Sequence, residues 1–252
     1  MSEQDKWLLI DIGNTAIKYA VVDHHTPIDN IAIAHTDDLN KLVTCLAQVQ
    51  HVALAYVREP HNLNMFIDVL HIHGKHVQIA QTQAKTMVGG MRLVNSYHTP
   101  ENMGVDRWLA MIAGVYFAQQ AQQHSVLVID AGTAITCDVI VQGKHKGGFI
   151  APGFSLLQTA LLQDTEKVFS SDARPEHISL GQDTPECVIN GCLAQLHGTV
   201  TAAQQQIEQY TEDYIIVLSG GDQKLLNSYN QKPQKTLANL VLCGLCLTFV
   251  HK

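Results

Sequence analysis

Residues Leu8 to Val22 read LLIDIGNTAIKYAVV, two apolar runs with Asp11, Gly13, Asn14 and Thr15 between them. Each run is short and rich in β-branched residues, and glycine sits at the break. The segment therefore predicts a strand, a tight turn and a returning strand rather than a helix. Turns use Asp, Gly and Asn for local backbone reasons alone, so one such stretch says little about function. The same plan returns in the middle of the chain, where Val126 to Ile140 read VLVIDAGTAITCDVI. Asp11 matches Asp130 and Gly13 matches Gly132, dividing the chain into two similar halves, 1–123 and 124–252. From Asp106 through Gln123, apolar residues recur at helical spacing and close the first half. The expected architecture is α/β, with two lobes facing each other.

A pair of such turns makes chemical sense if a polyanion lies between the lobes. Gly13 and Gly132 let the backbone come close, and the turn N–H groups, with Asn14, Thr15 and Thr133, can donate to phosphate oxygens. Lys18, on the returning strand, adds a positive charge at the first turn. Asp11 and Asp130 would repel phosphate unless each holds a cation, or a water on one. These features predict a nucleoside triphosphate site without a P-loop. The sequence contains no G-x-x-x-x-G-K-[ST], G-x-G-x-x-G, G-x-S-x-G or H-E-x-x-H.

Three further stretches carry chemistry. Gly104-Val105-Asp106-Arg107 precedes the long helix, which puts the Asp106 carboxylate in the first turn, where the helix dipole favours its ionised form. That suits a general base, and it equally suits a residue that only charges the helix start. Gly147 to Gly153, GGFIAPG, reads as a Gly/Pro loop or as a strand and turn feeding the next helix. Ser219-Gly220-Gly221-Asp222 follows the apolar run YIIVL, at a strand end where open α/β sheets bind ligands. The pair Gly220 and Gly221 there would let a flat ring lie against the backbone.

Composition narrows the class. The chain has 252 residues, 46% of them hydrophobic, enough to bury a substantial core. With a formal charge of -7 and its 16 Lys and Arg scattered, it lacks the cationic cluster that nucleic-acid binding requires. No apolar run reaches the ~18 residues of a membrane span, and no basic segment leads into an apolar core near residue 1. A cytoplasmic protein is expected, with no membrane partner. The six cysteines lack the paired spacing of a disulfide scaffold and should be reduced thiols. Cys243 and Cys246 form a C-x-x-C on the face of a terminal apolar helix, which favours packing over redox work. The run HIHGKH, His71 to His76, reads as a polar loop between two elements.

Taken together and in this order, DIGNTAIK, GVDR, DAGTAITCD, GGFIAPG and LSGGD resemble the type III pantothenate kinases, a family of the superfamily that includes acetate and sugar kinases, heat-shock ATPases and actin. The resemblance covers almost the whole chain. It implies two actin-like, ribonuclease H-like lobes with the nucleotide cleft between them, and an enzyme that phosphorylates pantothenate with ATP as the first step towards coenzyme A. By that resemblance Asp11, Ile12, Gly13, Asn14, Thr15, Ala16, Ile17 and Lys18 cradle ATP phosphates, with Thr133 and the Gly220–Gly221 pair also meeting ATP. Asp11 would stand near Mg2+ through a water. Asp106 would be the base towards the pantothenate hydroxyl, with Tyr97, Gly104, Val105 and Arg107 lining the substrate site. Asp130 would hold a monovalent cation, K+ or NH4+. Thr184, in Gly181-Gln182-Asp183-Thr184, would reach substrate near the interface of a homodimer. Arg107 could bind the substrate carboxylate or fix Asp106. The phosphate turns alone would equally permit a kinase of another small alcohol; a nucleotide-binding accessory protein of the same fold is the other alternative, against which the intact Asp106 and Asp130 speak.

Overall fold

The fold is that of a computed structural model of the chain, which describes residues 6–13, 15–57, 63–163, 174–175, 177–226 and 232–251. Contacts group the chain into two units. The first comprises Met1–Gly90, Tyr97–Ala113 and Asn239–Lys252, and the second Met91–Ser96 and Gly114–Ala238. This differs from the expected division at 123/124, because the chain leaves the first unit twice and returns to it.

In the first unit, strands β1 (Trp7–Ile12), β2 (Ile17–Val22), β3 (Ala34–Thr36) and β4 (His51–Tyr56) precede helix α1 (Leu63–Ile72), β5 (His76–Ile79) and β6 (Lys85–Val88). The sheet order is β3-β2-β1-β4-β5. Strands β1, β4 and β5 run parallel, while β2 and β3 are antiparallel to their neighbours. Strand β1 is buried at every residue, as a central strand covered on both faces must be, and this explains its unbroken apolar run. On one face Leu8, Ile10 and Ile12 join Leu42, Leu54, Phe66 and Leu70 in a core.

A hairpin of Gly89 and Gly90, both at positive φ, leads to β7 (Met91–Val94), followed by helix α2 (Val105–Gln120). The remaining elements are β8 (Ser125–Ala131), β9 (Ala134–Val141), β10 (Lys144–Pro152), α3 (Phe154–Gln163), α4 (Thr184–Glu208), β11 (Ile215–Ser219), β12 (Gln234–Thr236) and α5 (Leu240–Leu245). The strands of the second unit follow the order β12-β11-β8-β9-β10-β7. Its core gathers Leu127, Ile129, Ile135 and Cys137 from β8 and β9 with Leu193, Leu196 and Val200 of α4 and Phe154 of α3. Helix α5 belongs to the first unit, where it packs against β1 and β4. There Gly244 lies so close to α2 that a Cβ would come within 2.2 Å of the Leu109 carbonyl oxygen.

Both predicted strand–turn–strand segments form, as β1–β2 and β8–β9, and the predicted helix runs from Val105. The stretch GGFIAPG is mostly strand: Gly147 to Pro152 pair with β9 up to the start of α3. HIHGKH is not a loop throughout. His71 and Ile72 end α1 and His76 begins β5, leaving only His73 to Lys75 in the connection. Cys243 and Cys246 are both buried in the terminal helical segment, and burial pushes the Cys246 thiol up to about 12, which leaves it unreactive at neutral pH. None of the six cysteines is in a disulfide.

Candidate functional site

The two turns are built alike, one in each unit. In the first, Ile12 pairs with Ile17 and the Gly13 N–H donates to the Ala16 carbonyl at 3.2 Å. The side chains of Ile12 and Ile17 point into the core, so they frame the turn from below and leave the backbone and Thr15 at its tip, where Thr15 is exposed. Asn14 lies outside the described residues. In the second, Ala131 pairs with Ile135 and the Gly132 N–H donates to the Ala134 carbonyl at 3.0 Å. This turn is one residue shorter and leaves Thr133 exposed. In the ladders Asp11 faces Lys18, and Asp130 faces Thr136. Facing residues of an antiparallel pair share one side of the sheet, which sets the Lys18 charge beside the Asp11 carboxylate.

Each carboxylate is held by a residue distant in the chain. Asp11, 7% exposed, accepts from the Asn239 side-chain amide at 3.4 Å. Asn239 in turn caps α5, its Oδ1 accepting from the Leu242 N–H at 2.7 Å. Asp130 Oδ1 accepts from the fully buried Ser219 hydroxyl at 2.6 Å, and the two residues are register partners in the parallel β8–β11 ladder. The sequence places Ser219 in a candidate ligand-binding stretch without giving it this role, and does not mark Asn239 at all. The signal for Ser219 is its place directly after the apolar run YIIVL, whereas nothing local marks Asn239.

The second turn is gripped from two sides. The Gly153 N–H donates to the Thr133 carbonyl at 2.9 Å, and a Cβ on Gly153 would lie 2.0 Å from the Gly132 oxygen. Gly220, at φ +100°, would meet the Ala131 oxygen at 2.2 Å, while the Asp222 N–H donates to that same carbonyl at 2.9 Å. Only glycine allows these approaches. Asp222 also accepts from the Phe154 N–H at the start of α3. GGFIAPG and SGGD thus converge on DAGT within one unit. Burial holds the Asp222 carboxyl above the usual carboxylate range, against the opposing pull of the Arg174 guanidinium 3.8 Å away.

In the first unit, Asp106 lies in the opening turn of α2 and its Oδ1 accepts from the Arg107 N–H at 2.7 Å. Gly104 leaves room for that carboxylate, since a Cβ there would sit 2.5 Å from Asp106 Oδ1. Arg107, 5% exposed, donates from Nη1 to the Tyr97 hydroxyl at 2.7 Å, with its guanidinium 5.6 Å from the ring centre. Tyr97, Asp106 and Arg107 are thereby brought together, with Gly104 and Val105 half-buried beside them. Thr184 lies in the second unit, exposed at the first position of α4, beside an open groove of about 500 Å³ that also takes in Leu161 and Val188. Its neighbour Asp183 is the helix cap, accepting from the Glu186 N–H at 2.9 Å.

Among the described residues no three His, Cys, Asp or Glu side chains gather as a metal cluster. The donor set at Asp130, one carboxylate with the Ser219 hydroxyl against it, suits a weakly charged, oxygen-seeking cation better than a divalent ion enclosed by protein ligands.

Similar chains are found among solved structures. One, from Campylobacter jejuni and assigned to the Baf transcriptional-activator family, superposes with a TM-score of 0.60 at 20% identity over 94% of both chains. Another, from Listeria monocytogenes and assigned as an N-acetylmannosamine kinase, gives 0.52 at 16% identity over 98% of both. The chain thus has the two-lobed, actin-like fold that sugar kinases use. Its sequence is 34% identical to the type III pantothenate kinase of Pseudoalteromonas atlantica, over 97% of this chain and 98% of that one, and 32% identical to that of Acinetobacter baylyi, over 90% of each. The sequence profile of type III pantothenate kinase matches residues 7–206, and the chain belongs to that family.

Proposed function

We propose that the two turns hold the phosphates of ATP and that Tyr97, Arg107 and Asp106 receive pantothenate. The chain is a kinase that phosphorylates pantothenate with ATP in coenzyme A biosynthesis. The observation that carries the site assignment is the repeat itself: a turn of one build in each unit, with an aspartate two residues before each glycine. The turn N–H groups, Thr15, Thr133 and Lys18 supply donors and positive charge to the phosphates. Gly220 is buried against Ala131, whereas Gly221 is exposed with open space where a Cβ would lie, so the adenine ring is assigned to the bare backbone at Gly221.

Arg107 donates to the Tyr97 hydroxyl beside Asp106, and a planar guanidinium is the side chain best matched to a carboxylate, so it is assigned to that of pantothenate. Asp106 orients the pantothenate hydroxyl and takes its proton late, as the alcohol oxygen bonds to the γ-phosphorus and the bond to ADP breaks. Asp11 would hold Mg2+ through a water, and Asp130 with Ser219 would hold K+ or NH4+. These cations neutralise charge that develops on the phosphates. Thr184 reaches substrate at a homodimer interface. The setting is cytoplasmic, in keeping with ATP as donor and with free thiols.

The test is direct. Purified protein with pantothenate, ATP and Mg2+ should yield phosphopantothenate and ADP by mass spectrometry, weakly in sodium buffer and strongly when potassium replaces it. ATP hydrolysis indifferent to pantothenate would overturn the substrate assignment, and equal rates in the two salts would remove the role of Asp130.

A further inference from the structure

The second unit contains a hydrogen-bonded chain that the phosphate turns do not use. Asp138 on β9 and His145 on β10 are 1% and 4% exposed. His145 Nε2 lies 2.9 Å from Asp138 Oδ1, and His145 Nδ1 lies 2.9 Å from the hydroxyl of Ser96. A carboxylate and an imidazole this deep are costly unless each is satisfied. A carboxylate can only accept, so Nε2–H donates to Asp138, while Nδ1 and the Ser96 hydroxyl share the second hydrogen bond.

The backbone around His145 is shaped for this. A bulge falls between His145 and Gly147, and Gly147 has φ +119°. Bulges redirect side chains. His145 pairs with Ile140, and Asp138, two residues along β9, shares that face. Meanwhile β7 is tied to β10 by little: Val94 pairs with Lys144, and its N–H donates to the Gly143 carbonyl at 2.8 Å. Two residues beyond Val94, after the buried Asn95, stands Ser96, exposed and bonded through its hydroxyl to His145. At the Ser96–Tyr97 peptide bond the chain passes from the second unit to the first, and the next side chain is the Tyr97 that holds Arg107.

We infer that Asp138, His145 and Ser96 form a positioning device for the pantothenate site. They fix the backbone at residue 96, so that Tyr97 presents its ring and hydroxyl to Arg107 and to substrate. This rests on the assignment of Tyr97 and Arg107 to pantothenate. The three residues act through Tyr97 and touch neither reacting atom. An ordinary core pair would affect stability and both substrates alike, whereas this device acts on one substrate.

The experiment compares Ser96→Ala with Ser96→Thr, which keeps the hydroxyl. Because Ser96 is exposed, the alanine variant opens no core cavity. Two quantities are read: hydrogen–deuterium exchange of the segment 95–99, and KM for each substrate. Ser96→Ala should speed exchange there and raise KM for pantothenate about fivefold each, the weight of one hydrogen bond, with KM for ATP unchanged; Ser96→Thr should restore both. Unchanged exchange in Ser96→Ala overturns the anchor. Faster exchange with an unchanged pantothenate KM, or a parallel rise in KM for ATP, overturns its link to the substrate site. A wild-type protein inactive on pantothenate would instead remove the functional assignment, leaving the exchange measurement to judge the anchor.

Discussion

Asp106 carries the sharpest functional claim at the scale of single residues. Asp106→Asn keeps the shape and still accepts from the Arg107 N–H, so the opening turn of α2 should survive. Turnover should fall roughly 10²–10⁴-fold with ATP affinity nearly unchanged; near-normal turnover would reduce Asp106 to a residue that merely charges the helix start. Asp222 makes a different kind of claim. Burial raises its carboxyl in the folded chain above the ordinary value of 3.8, so just above that pH the folded protein keeps a proton that the unfolded chain has released. Stability from this group is present at lower pH and lost as pH rises through the raised folded value. Asp222→Asn, whose side-chain oxygen still accepts from the Phe154 N–H, should therefore melt higher than wild type at pH 7, the two curves converging below about pH 4. Thermal unfolding across that range checks it. A variant less stable at neutral pH would mean that Arg174 outweighs burial.

At the scale of elements, the second turn, proposed to hold phosphate, depends on two close approaches that tolerate no side chain. Gly153→Ala would drive a methyl into the Gly132 carbonyl, a backbone atom that cannot rotate away. The expected cost is about 1–3 kcal/mol in denaturant unfolding, with a rise in KM for ATP beyond what the stability loss explains. An unchanged midpoint would show that the turn is not fixed from this side. Both hairpins were legible in the sequence because a β-branched run broken by glycine has few other readings, and α2 was legible because its apolar spacing persists for four turns. The supports of the two aspartates were not. Ser219 lies 89 positions from Asp130, and Asn239 lies 228 positions from Asp11. Such pairings follow from sheet order and helix packing, which no local pattern encodes. GGFIAPG is an intermediate case: its glycines and proline leave open a loop or a strand and turn feeding the next helix, and the ladder with β9 decides for the second. The strand ends in Pro152, beyond which Gly153 makes the turn into α3.

For the whole molecule, the assignment of Thr184 to a dimer interface can be tested by mixing. We expect Thr184 to serve the partner's site, so that Asp106→Asn and Thr184→Arg, each inactive alone, should complement when subunits exchange. Half of randomly paired dimers are mixed, and each has one intact site, so about a quarter of normal activity should return. If Thr184 serves its own chain, every site carries one defect and mixing restores nothing. The return of α5 to the first unit has a consequence of another sort. That helix is translated after the entire second unit, yet it covers β1 and β4, which are among the earliest segments made. On the ribosome, then, the amino-terminal sheet must wait with an apolar face uncovered while the second unit emerges and folds. Synthesis at roughly 5–20 residues per second makes that wait one of many seconds. The first unit to begin is the last to finish, and the nascent chain should engage chaperones through β1 and β4 until residues 240–250 have left the exit tunnel.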